Sequence, residues 1–319
     1  MRKIFYLTAI AFSVSIISFM GCASMSSKNL NSEVIPGKRI VPEVGQTLVF
    51  AGQNNYDSSL FVKINKRIPY GFMIYTSLAN LEGLTENANP GAGDTSAAYI
   101  MKNYPGTALQ IGLYLVNSLE AIIDGHLDDN IEKFANWIKS TQVPVYLRIG
   151  YEFDYPENGY DPDLYIAAYK KIVDKFRELG VTNVEYVWHS YAALNPKGIE
   201  SWYPGDEYVD WCAISYFATP QWIPMVNFAK RNSKPLMIAE CSPILGDFKN
   251  PSKLLEWYKK LFRFIENQNV KAFCYINADW DSQPMFAHFN WGSGRLNQSK
   301  EIQNFWLETI SAERFIFQK

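Results

Sequence analysis

Residues that bind metals are scarce in this chain. Among 319 residues there are 3 His and 4 Cys. His126, His189 and His288 show no paired ligand spacing. After Cys22 only Cys212, Cys241 and Cys274 remain, an odd number with no C-x-x-C spacing. Each lies in an apolar run, which suits a buried free thiol. A metal site is therefore not supported, and no cofactor is expected. An excess of charge of one sign is missing too. The formal net charge is -2, which excludes a global basic field and argues against nucleic acid as a partner. No glycine-rich phosphate loop follows the first strand-like run, where residues 50 to 55 read "FAGQNN".

The extended apolar run at the start, Ile4–Met20, is short against the ~20 residues of a membrane span. It follows Arg2 and Lys3 and precedes Phe19-Met20-Gly21-Cys22, so it reads as a secretory signal. The last four residues resemble a bacterial lipoprotein box, which implies cleavage before Cys22 and lipidation of its thiol. Residues 1–21 are then the signal peptide, 22–40 a lipidated cysteine and flexible tether, and 41–319 the folded domain. Ala23 and Ser24 include no Asp, which fits sorting to the outer membrane of a bacterial cell envelope.

What is abundant is apolar and aromatic: 48% hydrophobic, with 20 Tyr, 20 Phe and 9 Trp. Short runs rich in β-branched and aromatic residues recur at Thr47–Ala51, Tyr70–Tyr75, Ala108–Leu115, Val145–Ile149, Val184–His189, Val209–Tyr216, Leu236–Ala239 and Ala272–Ile276. Amphipathic helical patterns lie between several of them, at Asp128–Lys139, Asp163–Leu179 and Ser252–Asn267. Continuous apolar strands alternating with helices imply a parallel sheet covered on both faces. Eight such units predict an α/β fold, a single-domain (β/α)8 TIM barrel. The alternative, a doubly wound open sheet, would usually carry the missing phosphate loop.

Chemistry in such a barrel gathers at the C-terminal ends of the strands. Gln53, Asn54 and Asn55 follow the first strand, Tyr75 and Thr76 close the second, and Tyr114 ends the third. Tyr151 and Glu152 follow the fourth, Trp188 and His189 the fifth, and Tyr216 the sixth. Glu240 closes the seventh, while Asn277, Asp279 and Trp280 follow the eighth. Two carboxylates, flat rings and amides in one ring of residues suit a sugar site. Cleaving a glycosidic bond needs a proton on the leaving oxygen and electron density at the anomeric carbon, and two flanking carboxylates supply both. A lone Glu after a strand is commonly a loop carboxylate or ion-pair partner; the pairing of Glu152 with Glu240 is what carries the reading. Asp154 and Asp279 lie further out, placed to bind substrate hydroxyls or cap helices. Arg148 stands four residues before Glu152, so period two predicts that both point inward. A buried guanidinium needs acceptors, and a carboxylate is one.

These residues resemble glycoside hydrolase family 26, within the clan of retaining β-glycanases. The resemblance rests on the Arg148–Glu152 spacing, "WYPGDEYVDWCAISYF" at 202 to 217, "KPLMIAE" at 234 to 240, and Trp280. It implies that Glu152 is the acid/base, that Glu240 is the nucleophile, and that Tyr216 touches Glu240. Tyr151 stands where the family usually has His, and "FDYPENGYDP" replaces the Met-Asn-Gly stretch of its mannan-cleaving members. Asn117 and Ser118 stand where mannanases carry a further His. These departures leave the sugar open among β-mannan, β-1,3-xylan and β-glucan. The expected partner is a polysaccharide or oligosaccharide, the membrane is reached only through the lipid anchor, and the chain is expected to be a monomer. A glycan-binding lipoprotein on a degenerate barrel is the alternative. An esterase or lyase would want a Ser-His pair or a metal. Trp202, Trp222 and Trp291 are candidates either for outer sugar sites or for the core.

Overall fold

The computed structural model describes residues 41–193, 198–217, 221–244 and 251–318. The lipidation site expected at Cys22, with the whole signal and the whole tether, lies outside the described residues.

Eight parallel strands form a closed barrel: β1 (Thr47–Gly52), β2 (Gly71–Ser77), β3 (Ala108–Tyr114), β4 (Val145–Ile149), β5 (Val184–Ser190), β6 (Trp211–Tyr216), β7 (Leu236–Cys241) and β8 (Ala272–Ile276). Each pairs in parallel with the next, and β8 returns to β1, which also pairs with β2. A two-residue ninth strand, β9 (Phe315–Ile316), adds alongside β1; it is too short to be seen in the sequence pattern. The helices are α1 (Asn55–Asn65), α2 (Ala97–Asn103), α3 (Leu119–Ile123), α4 (Asp128–Thr141), α5 (Pro162–Glu178), α6 (Ile223–Arg231), α7 (Pro251–Asn267) and α8 (Lys300–Ile310). Their starts follow local chemistry. The Asn54 side chain accepts from the Asp57 amide at α1, and Asp161 accepts from Asp163 and Leu164 ahead of Pro162 at α5.

The barrel wall separates two cores. Outward side chains such as Leu147, Trp188, Cys212 and Ile238 pack against the helices. Inward ones, including Phe50, Tyr146, Val187, Trp211 and Ala239, fill the lumen. Phe50, Tyr146 and Trp211 meet edge to face at 5.2 and 5.5 Å, flooring the lumen with rings. Above this floor the inward positions turn polar: Gln110, Arg148, His189 and Ser215, all buried. Polar groups here need partners; Gln110 Nε2, Arg148 Nη1, His189 and Ser215 have them, whereas Gln110 Oε1 and Arg148 Nε and Nη2 have none among the described residues.

Candidate active site

The position of Glu240 depends on an irregularity in β7. Along β6 and β7, Ile214 is opposite Ile238 while Ser215 is opposite Glu240, which leaves Ala239 as an extra residue. The β8 side agrees, with Ile238 opposite Phe273 and Cys241 opposite Tyr275. Met237 and Ala239 both line the lumen, so plain alternation would send Glu240 outward to the helices. The bulge turns it inward, a known use of bulges beside active sites. Gln110 Nε2 donates to the Ala239 carbonyl at 2.7 Å and satisfies the backbone group that the bulge displaces.

Glu240 Oε1 accepts from two groups. Arg148 Nη1 forms an ion pair with it, and the Tyr75 hydroxyl donates at 2.7 Å. Burial opposes the charge on Arg148, but Glu240 and Tyr75 together outweigh that cost and hold the guanidinium above its usual range. Burial, and then the charge of Glu240, push the Tyr75 phenol well above its usual value, so it stays a neutral donor. The rings of Tyr75 and Tyr151 flank the guanidinium, each with its centroid 5.2 Å away. Gly112 makes this packing possible. A Cβ there would lie 2.6 Å from the Tyr75 ring and 2.8 Å from Arg148 Nη2.

Glu152 reaches the same region by a different route from the one its spacing implies. β4 ends at Ile149, and both Gly150 (φ 54°) and Glu152 (φ 53°) are left-handed. The strand therefore does not carry Glu152 inward by period two; a tight turn does. Asn158 Nδ2 braces that turn by donating to the Glu152 carbonyl at 2.9 Å. The Glu152 carboxyl accepts from the Ser215 hydroxyl. Desolvation, followed by the charge of Glu240, pushes its pKa up to about 8. The mouth thus holds one carboxylate in an ion pair and one carboxyl that keeps its proton at neutral pH. That division of environments separates a nucleophile from a general acid.

The remaining predicted residues divide. Tyr114 is 42% exposed and lies beside Tyr151, with ring centroids 6.3 Å apart, at the open mouth. Gln53 is buried and donates to Gln283 at 3.3 Å. Asp279 pairs with Arg295 at 3.6 Å. Trp280 packs inward, its indole nitrogen donating to Ser242 at 3.2 Å.

Three expectations are corrected. Tyr216 does not touch Glu240: it follows the inward Ser215 on β6, so it faces out and stacks on Trp222 at 4.1 Å. Tyr75 takes the contact instead. Trp188 also faces outward, stacked on Phe153 at 4.7 Å, and cannot meet a substrate in the lumen. His189 is fully buried with both ring nitrogens engaged by protein, which leaves none for a sugar hydroxyl. Asp154 accepts from Ser190 Oγ at 2.7 Å and from the Tyr191 amide at 2.6 Å, tying two mouth loops together. Trp202 and Trp222 belong to the outer core, and Trp291 stacks within a cluster of Phe286 and Phe289. Gln110, Gly112 and Ser215 went unrecognised in the sequence. Their signal was a polar or missing side chain inside an apolar strand.

Comparison with known proteins identifies the family. The glycosyl hydrolase family 26 model matches residues 99–287. A β-1,3-xylanase from an Alcaligenes species is 31% identical over 94% of this chain and 69% of its own length. The chain belongs to glycosyl hydrolase family 26. It is accordingly a retaining endo-β-glycanase. A second family relative, a β-1,3-xylanase from a Vibrio species, is 32% identical over 94% of this chain and 71% of its own length. Among solved family 26 structures, a β-mannanase from Bacteroides ovatus superposes with a TM-score of 0.64 at 14% identity, over 86% of this chain and 90% of its own. At that identity the likeness speaks for the fold.

Proposed function

We propose that the chain hydrolyses β-1,3-xylan, with Glu240 as nucleophile and Glu152 as acid/base. The observation that carries the roles is the contrast between the two carboxyls: Glu240 is ion-paired with Arg148 and accepts from Tyr75, whereas Glu152 has a raised pKa. In the first step Glu240 attacks the anomeric carbon while Glu152 gives its proton to the departing oxygen. In the second, Glu152 takes a proton from water, and that water displaces Glu240. Tyr75 and Arg148 keep the attacking carboxylate aimed. Tyr114 and Tyr151 offer ring faces to the sugar. The choice of β-1,3-xylan is supported by the two xylanase relatives, each aligned over 94% of the chain. It is supported also by Asn117 and Ser118, which stand where mannanases carry a further His. Anchoring in the bacterial envelope through Cys22 belongs to the same proposal, on the strength of the sequence from Arg2 to Ser24.

The test is reducing-sugar release from β-1,3-xylan, β-1,4-mannan and β-1,3-1,4-glucan, with the product anomer followed by proton NMR. Retained configuration and a preference for xylan are expected. Glu240→Ala should be inactive and regain activity with azide, giving an inverted glycosyl azide. An inverted product from the unaltered enzyme would remove Glu240 from its role.

A further inference from the structure

A continuous polar chain joins the two carboxyls through the barrel lumen, and its hydrogens have one direction. Arg148 Nη1 contacts both Glu240 Oε1 and His189 Nδ1, the latter at 3.2 Å. A guanidinium only donates, so Nδ1 must be an acceptor. Burial, and then the Arg148 charge, hold the His189 pKa well below its usual value, so the ring is neutral. Its one hydrogen therefore sits on Nε2, which lies 3.0 Å from Ser215 Oγ and donates to it. The Ser215 hydroxyl cannot donate back to Nε2. Its remaining acceptor among the described residues is Glu152 Oε1.

We propose that this Arg148–His189–Ser215 relay dictates which oxygen of Glu152 carries the catalytic proton: Oε1 is held as an acceptor, so the proton resides on Oε2. His189 and Ser215 are then positioning residues, acting through Glu152. The relay rests on the acid/base role assigned to Glu152 above. It follows that Oε2 protonates the leaving oxygen and later receives the proton from water, while Oε1 stays bound to Ser215 throughout. A carboxyl free to hold its proton on either oxygen would spend part of its time with the proton turned away from the bond. Other groups facing Glu152 do not supply this constraint. Arg148, Tyr151 and Asp154 come from β4 and its loop, Tyr155 and Tyr160 from the next turn, and Glu240 from β7. Glu240, Arg148 and Asp154 act on Glu152 through charge, and Tyr151, Tyr155 and Tyr160 are neutral phenols whose own pKa values Glu152 helps to raise.

Ser215→Ala and Ser215→Thr test this. Ser215→Ala removes a donor that favours the charged form of Glu152. Its alkaline limb of kcat/KM on β-1,3-xylo-oligosaccharides should move to higher pH, and kcat/KM below that limb should fall about tenfold. Ser215→Thr keeps the hydroxyl and should keep both near the unaltered enzyme. The second readout is independent of turnover. In infrared difference spectra between low and high pH, the carbonyl stretch of protonated Glu152, identified by its loss in Glu152→Gln, should shift to higher frequency in Ser215→Ala. An unmoved limb with an unmoved band in a folded Ser215→Ala protein overturns the relay. A wild-type protein inert on every β-glycan would sink the glycanase reading alone, and the carbonyl band would still decide the relay.

Discussion

Gln110 on β3 donates across the lumen to the carbonyl of Ala239, the extra residue of the β7 bulge, at 2.7 Å. Glu240 is the next residue, so a side chain on the far wall braces the backbone that aims it. Gln110→Leu would leave that buried carbonyl unpaired, at a cost of about 1–3 kcal/mol. The fold should survive with a lower Tm. Because the change relaxes the aim of Glu240 rather than sugar contacts, kcat should fall roughly tenfold with KM within about twofold. Steady-state kinetics on a soluble xylo-oligosaccharide would show it, and a rise in KM alone would count against the bracing role.

Tyr75 takes the part that family resemblance implies for Tyr216. Tyr75→Phe removes a charge-assisted hydrogen bond to Glu240, a class of contact that contributes about 1.5–3 kcal/mol, or roughly 10- to 100-fold in rate. Formation of the glycosyl-enzyme, read as the burst with an activated aryl glycoside, should slow by that factor. Tyr216→Phe should leave the burst unchanged, since the Tyr216 ring lies among Trp222, Trp257 and Phe264. The reverse pattern would return Tyr216 to the site.

Glu152 predicts the response to pH. The acid must begin protonated, so kcat/KM should fall as pH rises through about 8. The same shift has a sign for stability. A folded-state pKa above the unfolded value means that the native protein holds a proton the unfolded chain releases. Stability is therefore lost progressively from the unfolded value near 4.3 up to about 8. Glu152→Gln removes this loss. Its Tm should exceed that of the unaltered enzyme at pH 9 and approach it at pH 4, as calorimetry would measure.

Cys22 belongs to a separate test. If its thiol is lipidated, the exported protein should partition into the detergent phase of a two-phase extraction, and Cys22→Ala should move it to the aqueous phase with activity intact. An unaltered protein found in the aqueous phase would remove the anchor.

By itself the sequence determined the architecture and the pair of glutamates. Val145–Ile149 and Ala272–Ile276 match β4 and β8 to the residue, because apolar runs bounded by turns and amphipathic helices are local signals. Counting strands placed Glu152 and Glu240 at the ends of the fourth and seventh without any knowledge of packing. Which way each side chain faces was decided only by the tertiary structure. In a parallel strand covered on both faces, inward and outward residues are alike apolar, so the pattern carries no phase. Trp188 and Tyr216 were therefore assigned to the lumen when they belong to the outer core, and Tyr75 was not recognised as the partner of Glu240. The β7 bulge and the left-handed turn at Gly150 and Glu152 shift that phase by backbone geometry. The bulge arises from pairing between distant segments and leaves no mark in the residues on either side, and Gly150 marks a turn without fixing which way Glu152 points.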